Sequence, residues 1–160
     1  MKIKNISLKK VAGGLVALGI IGYLVIGFII IPFISPDPII NTFPATCPKP
    51  NNCTRVADTN NREPDVQPPV LSANASQVKQ AIIQWMGDQV ILNQTATFMH
   101  IKWTQPITRF IDDVLILLKP NGTTQTTVWI QSQSRLGEWD FNTNTNRVNS
   151  LLSFLVDFTF

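Results

Sequence analysis

The stretch RFIDDVLILLKPNGTTQTTVWIQSQS, residues 109–134, decides the fold of this chain. Its two halves are rich in Val, Ile, Leu and Thr, and the Pro-Asn-Gly at 120–122 between them is the strongest turn signal in the sequence. The stretch therefore predicts a β-hairpin whose two strands are residues 109–118 and 125–134.

Two aspartates, Asp112 and Asp113, stand next to each other in the first of these strands. A hairpin that turns at the Asn-Gly pair would place them about opposite Ile130 and Gln131. Just beyond that point come three more polar residues, Ser132, Ser134 and Arg135. Neighbours in a strand face opposite sides, so only one aspartate is expected to face a covering helix, and the sequence leaves both choices open. The inward carboxylate needs a cationic partner, and the available arginines are Arg135 and Arg147.

Outward from the hairpin, the sequence predicts two more strands and two helices. The additional strands are residues 89–94 and 97–104. One helix is expected from Asn74, which can cap it, to Gly87, which can end it; the other begins at Thr143 or Asn144. We therefore expect an α+β fold over residues 72–160, a small antiparallel four-stranded sheet flanked by two helices, in the order helix-strand-strand-strand-strand-helix.

An apolar segment near the N-terminus, VAGGLVALGIIGYLVIGFIIIPFI at 11–34, contains no charge. As a helix it would be about 36 Å long, enough to cross a hydrocarbon core of about 30 Å. A cleaved signal peptide is the alternative, but the apolar part of a signal peptide is shorter and ends in small residues, whereas this segment ends in apolar residues and proline. We therefore expect a retained single-pass transmembrane helix, with the lipid bilayer as its partner.

Basic residues precede this helix and predict its orientation. The formal net charge is +3, and residues 1–10 form a basic tail that contains Lys2, Lys4, Lys9 and Lys10. By the positive-inside rule the N-terminus is expected in the cytoplasm and the C-terminal domain in a periplasm, lumen or extracellular space. Without this tail the chain is nearly neutral, so nucleic acid is not an expected partner.

Residues 35–71 are rich in Pro, Asn and Thr, which disfavours helix and predicts an extended tether between the membrane and the domain. The tether contains both cysteines of the chain, Cys47 and Cys53. Outside the cytoplasm a disulfide is the expected state, with free thiols as the alternative. Two thiolates with no histidine nearby cannot complete a tetrahedral zinc site.

Recognised motifs for catalysis or cofactor binding are absent from the sequence. It contains no nucleophile elbow, glycine-rich phosphate loop, HExxH or Cys/His cluster, so no cofactor and no metal site is expected. The lone histidine, His100, lies in a predicted strand and is expected to be half-buried and hydrogen-bonded to backbone. A hydrolase would have to combine Ser134 with His100 and Asp113, which their spacing neither requires nor excludes.

Three blocks carry a family resemblance: TCPKPNNC at 46–53, FMHIKWTQPITRFIDDVLILL at 98–118 and QSQSRLGEWDFNTNTNRVNSLL at 131–152. In this order they resemble the bacterial and plastid family called the domain of unknown function 1499. The matching positions are Cys47, Pro48, Asn52, Cys53, His100, Phe110, Asp112, Asp113, Val114, Ser132, Ser134, Arg135, Gly137, Asp140, Asn144 and Arg147. The resemblance implies a membrane-associated or lumenal domain whose function is not established.

The chain departs from the family pattern at three positions. Gln131 stands where the family usually has Arg, Leu115 where it has Glu, and Asn142 where it has Gly. If the family's Arg and Glu form a charge pair, this chain has lost both members. Asn142 can still adopt the left-handed conformation that a glycine would supply.

The polar residues of these blocks form the candidate site. Its members are Asp112, Asp113, Ser132, Ser134, Arg135, Asp140, Asn144, Arg147 and His100. Such a set can be a structural network, a binding site or a catalytic site. We expect a binding or assembly module for a membrane complex or for a lipid-like ligand between helices and sheet. The alternative is a hydrolase-like enzyme that uses Ser134, His100 and Asp113.

Overall fold

The computed structural model describes residues 8–160, and it describes the side-chain surroundings from residue 11 onward. Lys2 and Lys4 lie outside the described residues, as do the side chains of Lys9 and Lys10. The basic tail and the orientation inferred from these lysines therefore stay predictions.

The described chain begins with a long apolar helix. It runs as α1 (Leu8–Val25), a π-helical turn (Ile26–Ile30) and α2 (Ile31–Ile34). Its segment Val11–Ile34 has a mean hydropathy of 2.7, and it is the one helix among the described residues that is long and apolar enough to cross a membrane. The helix predicted in this region is thus present, with the length and composition that a membrane span requires.

A six-stranded antiparallel sheet lies at the centre of the domain, with strand order β1-β6-β5-β4-β3 and with β2 paired to β6. The strands are β1 (Cys53–Val56), β2 (Val70–Leu71), β3 (Val90–Gln94), β4 (Phe98–Thr104), β5 (Ile111–Asn121) and β6 (Gln125–Ser134). Strands β3 to β6 are the meander that the sequence predicted, and the α+β class is confirmed.

The predicted number of strands is wrong, because the sheet has six strands and not four. The two additional strands, β1 and β2, come from residues 35–71, which we expected to be a tether. Both are short and stand among prolines, so they lack the alternating pattern of a longer strand. They pair along the free edge of β6, where Thr54 lies opposite Ser132 and Leu71 opposite Thr126. Their pairing therefore depends on an edge that exists only after the hairpin has formed.

Two helices, α3 (Ala75–Met86) and α4 (Thr143–Asp157), pack against each other and against one face of the sheet. Asn74 caps α3 as predicted, since its Oδ1 accepts a hydrogen bond from the backbone N–H of Gln77 at 3.0 Å. In turn, Gln77 Oε1 accepts a hydrogen bond from the backbone N–H of Asn74. The order of elements is two strands, a helix, four strands and a helix, so the predicted order with a helix first is wrong.

The apolar core lies between these helices and the sheet. Its buried members include Val78, Ala81, Ile82, Val114, Ile116, Leu118, Val128, Ile130, Val148, Leu151 and Leu155. Strand alternation then assigns Asp112 to the helix face with Val114, and Asp113 to the opposite face with Leu115.

The opposite face of the sheet is covered by the chain that follows α2. Arg55 donates a hydrogen bond from Nη1 to the carbonyl oxygen of Pro44 at 2.6 Å. The rings of Phe43 and Trp129 have their centroids 5.9 Å apart. Residues 35–49 thus pack on the domain, and we call them the covering segment.

A disulfide joins Cys47 to Cys53, as predicted. Cys47 belongs to the covering segment, and Cys53 is the fully buried first residue of β1. The bond therefore fastens the covering segment to the sheet, in addition to closing a short loop.

The hairpin turn is longer than the sequence suggested. Asn121 and Gln125 form the last pair, and Gly122 has a φ of 73°, which favours glycine. As a result Asp112 lies opposite Ser134 and Asp113 opposite Gln133, so the predicted register, which set the aspartates against Ile130 and Gln131, is wrong.

Candidate functional site

Both aspartates of β5 are buried, one on each face of the sheet. Asp112 is 1% exposed and faces the helices, whereas Asp113 is 2% exposed and faces the covering segment. A buried carboxylate needs charge-assisted partners, and each aspartate has its own arginine. Arg147 Nη2 contacts Asp112 Oδ2 at 2.7 Å, and Arg135 Nη2 contacts Asp113 Oδ1 at 2.7 Å.

On the helix face, Arg147 reaches toward the sheet from the second turn of α4. Its Nη1 donates to Ser132 Oγ at 2.8 Å and to Asn144 Oδ1 at 2.9 Å. Trp103 lies over its guanidinium at 5.0 Å. Burial lowers the pKa of Arg147 below its ordinary value and Asp112 offsets part of that effect, yet an arginine stays charged at neutral pH.

Asn144 connects this arginine to the ends of two strands. Its Nδ2 donates to Ser134 Oγ at 3.0 Å and to the carbonyl oxygen of Asn52 at 2.9 Å, and its Oδ1 accepts from Ser132 Oγ at 2.7 Å. Asn144 is fully buried. Every polar atom of its side chain is therefore used to hold α4 on the sheet.

Asp140 organises the start of α4. Its carboxylate accepts the backbone N–H groups of Asn142 and Asn144, and it pairs with Arg62 Nη1 at 2.6 Å. Burial acts to raise the pKa of Asp140, but Arg62 and Asn144 outweigh it, so the pKa lies below its ordinary value. Asn142 has a φ of 65°, the left-handed conformation that we expected where the family has glycine. The helix α4 begins at Thr143, one of the two predicted starts, and its N-cap residue is Asn142.

Six of the predicted site residues thus come together on the helix face. We call them the helix-side cluster: Asp112, Ser132, Ser134, Asp140, Asn144 and Arg147.

The other three, with one residue that sequence reasoning missed, meet on the opposite face. We call this group the anchor-side cluster: Asp37, His100, Asp113 and Arg135. Asp113 Oδ1 lies 2.7 Å from His100 Nε2, and Arg135 Nε donates to both oxygens of Asp113 at 3.1 Å. Arg135 Nη1 also contacts Asp37 Oδ1 at 2.7 Å and the carbonyl oxygens of Ser35 and Pro36 at 3.2 Å.

The electrostatics of this cluster favour ionised groups. Burial acts to raise the pKa of the Asp113 carboxyl, but His100 and Arg135 outweigh it, so the pKa lies below its ordinary value. For Arg135, burial acts to lower the pKa, but Asp113 and Asp37 outweigh it, so the pKa lies above its ordinary value. The Asp113 carboxylate is therefore held between the imidazole of His100 and the guanidinium of Arg135.

His100 differs from our expectation of a half-buried residue bonded to backbone. It is fully buried and contacts the Asp113 carboxylate. Its Nδ1 has no hydrogen-bond partner within the described part of the chain.

The hydrolase-like arrangement of Ser134, His100 and Asp113 is not formed. Ser134 is paired with Asp112 in the sheet and bonds Asn144, so its hydroxyl is on the helix face. His100 and Asp113 bond each other on the opposite face. The sheet itself separates the proposed nucleophile from the proposed base, so this alternative is wrong as arranged.

Sequence reasoning missed the buried polar residues of the segment expected to be a tether. Arg55 is buried in β1 and donates to Gln131 Oε1 at 2.9 Å, while Asn52 is fully buried beside α4. Arg62, which we assigned to the tether, pairs with Asp140. Asn52 lies in the first family block, which was its available signal. No group of three or more potential metal-binding side chains occurs between residues 8 and 160.

A cleft of about 350 Å³ opens beside the helix-side cluster. It lies between the loop before β5 and the loop that connects β6 to α4. Its polar lining includes Gln105, Asp112, Ser134 and Asp140, and its apolar lining includes Phe110, Leu136, Trp139 and Phe141. Trp139 is 70% exposed and Phe141 is 93% exposed. The cleft thus has a polar floor and an aromatic rim.

Comparison with known proteins identifies the family of the chain. No curated protein matches the sequence. The model of one family, described as Protein of unknown function (DUF1499), matches residues 45–155. This range includes the sheet, α3, α4 as far as residue 155 and all nine predicted site residues. The chain therefore belongs to the DUF1499 family of proteins of unknown function.

Proposed function

We propose that this chain is a single-pass membrane protein whose domain, outside the cytoplasm, binds a neutral, hydroxyl-bearing amphiphile in the cleft beside the helix-side cluster. The support for the anchor is the apolar helix Val11–Ile34, and the support for the orientation is the lysine-rich tail before it. The observation that carries the binding role is the combination of a polar floor and an exposed aromatic rim in one cleft.

The size and lining of the cleft match those of small-molecule sites. Such sites are typically about 300–1,000 Å³, mostly apolar, and contain a few polar groups that orient the ligand. Here the cleft measures about 350 Å³. An acyl chain or ring system would contact Phe110, Trp139 and Phe141, and a polar head would reach the floor.

The floor favours an uncharged head group. Its two carboxylates, Asp112 and Asp140, are already paired with Arg147 and Arg62. The paired charges leave the floor close to neutral, so neither a phosphate nor an ammonium group is attracted by an excess charge.

Two atoms of the floor have unused hydrogen-bonding capacity. Asp112 Oδ2 accepts hydrogen bonds from Gln105 and Arg147. Asp112 Oδ1 accepts no hydrogen bond from a side chain, or from the backbone of a loop, within residues 8–160. Ser134 Oγ accepts a bond from Asn144, and its own proton has no acceptor among the same residues. One free acceptor beside one free donor fits a hydroxyl group, which both donates and accepts.

The experiment uses the full chain in phosphatidylcholine nanodiscs and a monoacylglycerol as the probe. We expect saturable binding, measured as a change in tryptophan fluorescence and confirmed by native mass spectrometry. Trp139→Ala should weaken binding at least tenfold, because buried aromatic contacts dominate such sites. Mass spectrometry provides the readout for this variant, because none of its three remaining tryptophans lines the cleft.

The matched control is Ile39→Ala, which removes a side chain that is 90% exposed in the covering segment and far along the chain from the cleft. It should bind as the parent does. Absence of saturable binding to the parent, or equal affinity of the Trp139→Ala variant, would refute the proposed function. Mass spectra that contain another membrane protein and no lipid would favour an assembly role instead.

A further inference from the structure

We infer that the cleft end of the domain rests in the interfacial layer of the bilayer that the N-terminal helix crosses, so that the cleft opens toward the adjacent leaflet. The surface consists of Ile107, Phe110, Trp139 and Phe141, and we call it the interfacial surface. The inference rests on the anchoring part of the proposed function and is independent of what the cleft binds.

The first support is a contact between the loop before β5 and residues 23–28 of the apolar helix, which precede the C-terminal end of that helix. The Tyr23 hydroxyl donates to the carbonyl oxygen of Ile107 at 2.8 Å. The guanidinium of Arg109 lies 4.6 Å from the ring centre of Phe28. A Cβ at Gly27 would lie 2.8 Å from Arg109 Cγ, so the glycine permits this close approach. The loop is therefore held beside helix residues 23–28.

The second support comes from the length of the helix. Its last turns pack on the domain, since Gly27, Ile31 and Ser35 are buried at a spacing of four residues. The remaining part, from residue 11 to residue 28, would extend about 27 Å as a helix, which is within the range of a membrane span. The apolar core of the bilayer then ends near Phe28. Tyr23 lies about 7.5 Å deeper along the helix axis, and its hydroxyl, which bonds the carbonyl oxygen of Ile107, is the polar tip that a tyrosine directs toward the interface.

The third support is the exposure of the apolar side chains at this level. Ile107 is 77% exposed and Phe110 is 48% exposed, and with Trp139 and Phe141 they form an exposed apolar group at one end of the domain. Phe110, Trp139 and Phe141 line the same cleft, which places the two loops side by side. Exposed aromatic groups of this kind indicate a contact surface, and tryptophan is enriched at the membrane interface.

The fourth support is an arginine without an acidic partner. Arg109 is the only charged residue in the loop 105–110. Within residues 8–160 it forms no ion pair with a carboxylate, and its Nε has no hydrogen-bond partner. Beside Phe28 this guanidinium is positioned for lipid phosphate, which favours the bilayer over a protein as the occupant of the surface.

The test measures the depth of Trp139. The full chain is reconstituted into nanodiscs whose lipids carry bromine on the acyl chains close to the head group, and bromine quenches nearby tryptophan. We expect the parent to be quenched and Trp139→Phe to lose most of that quenching. Trp129→Phe is the matched control and should keep it, because Trp129 packs against Phe43 on the covered face of the sheet.

Insertion of the helix is verified separately by resistance to alkaline extraction. An inserted parent protein without bromine quenching would overturn the inference, and so would quenching that persists unchanged in Trp139→Phe. Quenching at Trp139 without monoacylglycerol binding would leave the inference standing and refute the proposed ligand. Failure of the helix to insert would refute both.

Discussion

The two faces of the sheet carry acid–base clusters that are assembled in different ways. The helix-side cluster is built from β5, β6, α4 and the loop between β6 and α4, so it is complete once the domain has folded. The anchor-side cluster needs Asp37 and the carbonyl oxygens of Ser35 and Pro36, which directly follow the apolar helix. This difference suggests separate roles. One cluster closes the core, and the other fixes the domain relative to the apolar helix.

The largest effect is expected from Arg147→Ala. This substitution leaves Asp112 buried without its cation, and breaking a buried ion pair costs about 3–5 kcal/mol. The free energy of unfolding, measured by urea titration of the full chain in detergent, should fall by that amount. The control is Lys49→Ala, which removes an exposed pair with Glu138 and should cost less than about 1 kcal/mol. Equal midpoints for the two variants would show that the helix-side cluster does not stabilise the core.

A smaller effect is expected from Arg135→Ala, because His100 still contacts Asp113 after the substitution. Loss of charged hydrogen bonds should cost about 1.5–3 kcal/mol. The distinguishing readout is amide hydrogen exchange in residues 35–43. Exchange there should accelerate more in Arg135→Ala than in Arg147→Ala. The two variants are compared at urea concentrations at which their free energies of unfolding are equal. Equal exchange in the two variants would contradict the distinction between the clusters.

The disulfide belongs to the covered face, and its removal should have a similar or smaller effect. The double variant Cys47→Ser with Cys53→Ser should lose about 2 kcal/mol of unfolding free energy, as expected for a short closed loop. Exchange should again accelerate in the covering segment, because the bond ties it to β1. If the double variant and the parent have the same free energy of unfolding, then the packing of Phe43 and Pro44 alone holds the covering segment on the sheet.

The smallest effect is expected from acid. The pKa of Asp113 is lowered by folding, so its stabilising contribution is full above the ordinary value of 3.8 and is lost as the pH falls through the lowered pKa. Protonation leaves the side chain in place, which makes the effect smaller than that of Arg135→Ala. Unfolding free energies of the parent and of Asp113→Asn, measured from pH 7 to pH 2, should converge as the pH falls. A difference that stays constant over this range would exclude the Asp113 charge as the cause.

The departures from the family pattern also have a structural explanation. Leu115 and Gln131 are direct partners across β5 and β6, and both are fully buried. A Glu and an Arg at these positions would face each other, so the loss of both in this chain removes a pair without leaving one buried charge. Gln131 instead accepts a hydrogen bond from Arg55, which comes from β1.

Local patterns in the sequence were sufficient for the elements whose signals are local. The apolar run of the first helix, the cap at Asn74 and the alternation in β3 to β6 each depend on neighbouring residues, and each occurs in the structure. The disulfide was also predictable, since only two cysteines exist and they lie close together. The membership of the candidate site followed from the family blocks, which match the DUF1499 model.

Only the tertiary structure decided how these parts are combined. Strands β1 and β2 form because the edge of β6 offers unpaired backbone groups, and the sequence of a short strand does not encode its partner. The side of the sheet that each aspartate faces depends on the register, and the turn at 122–124 set that register differently from the simplest turn. Since one aspartate faces α4 and the other the covering segment, the nine candidate residues form two clusters separated by the sheet, a consequence of long-range packing that no local pattern contains.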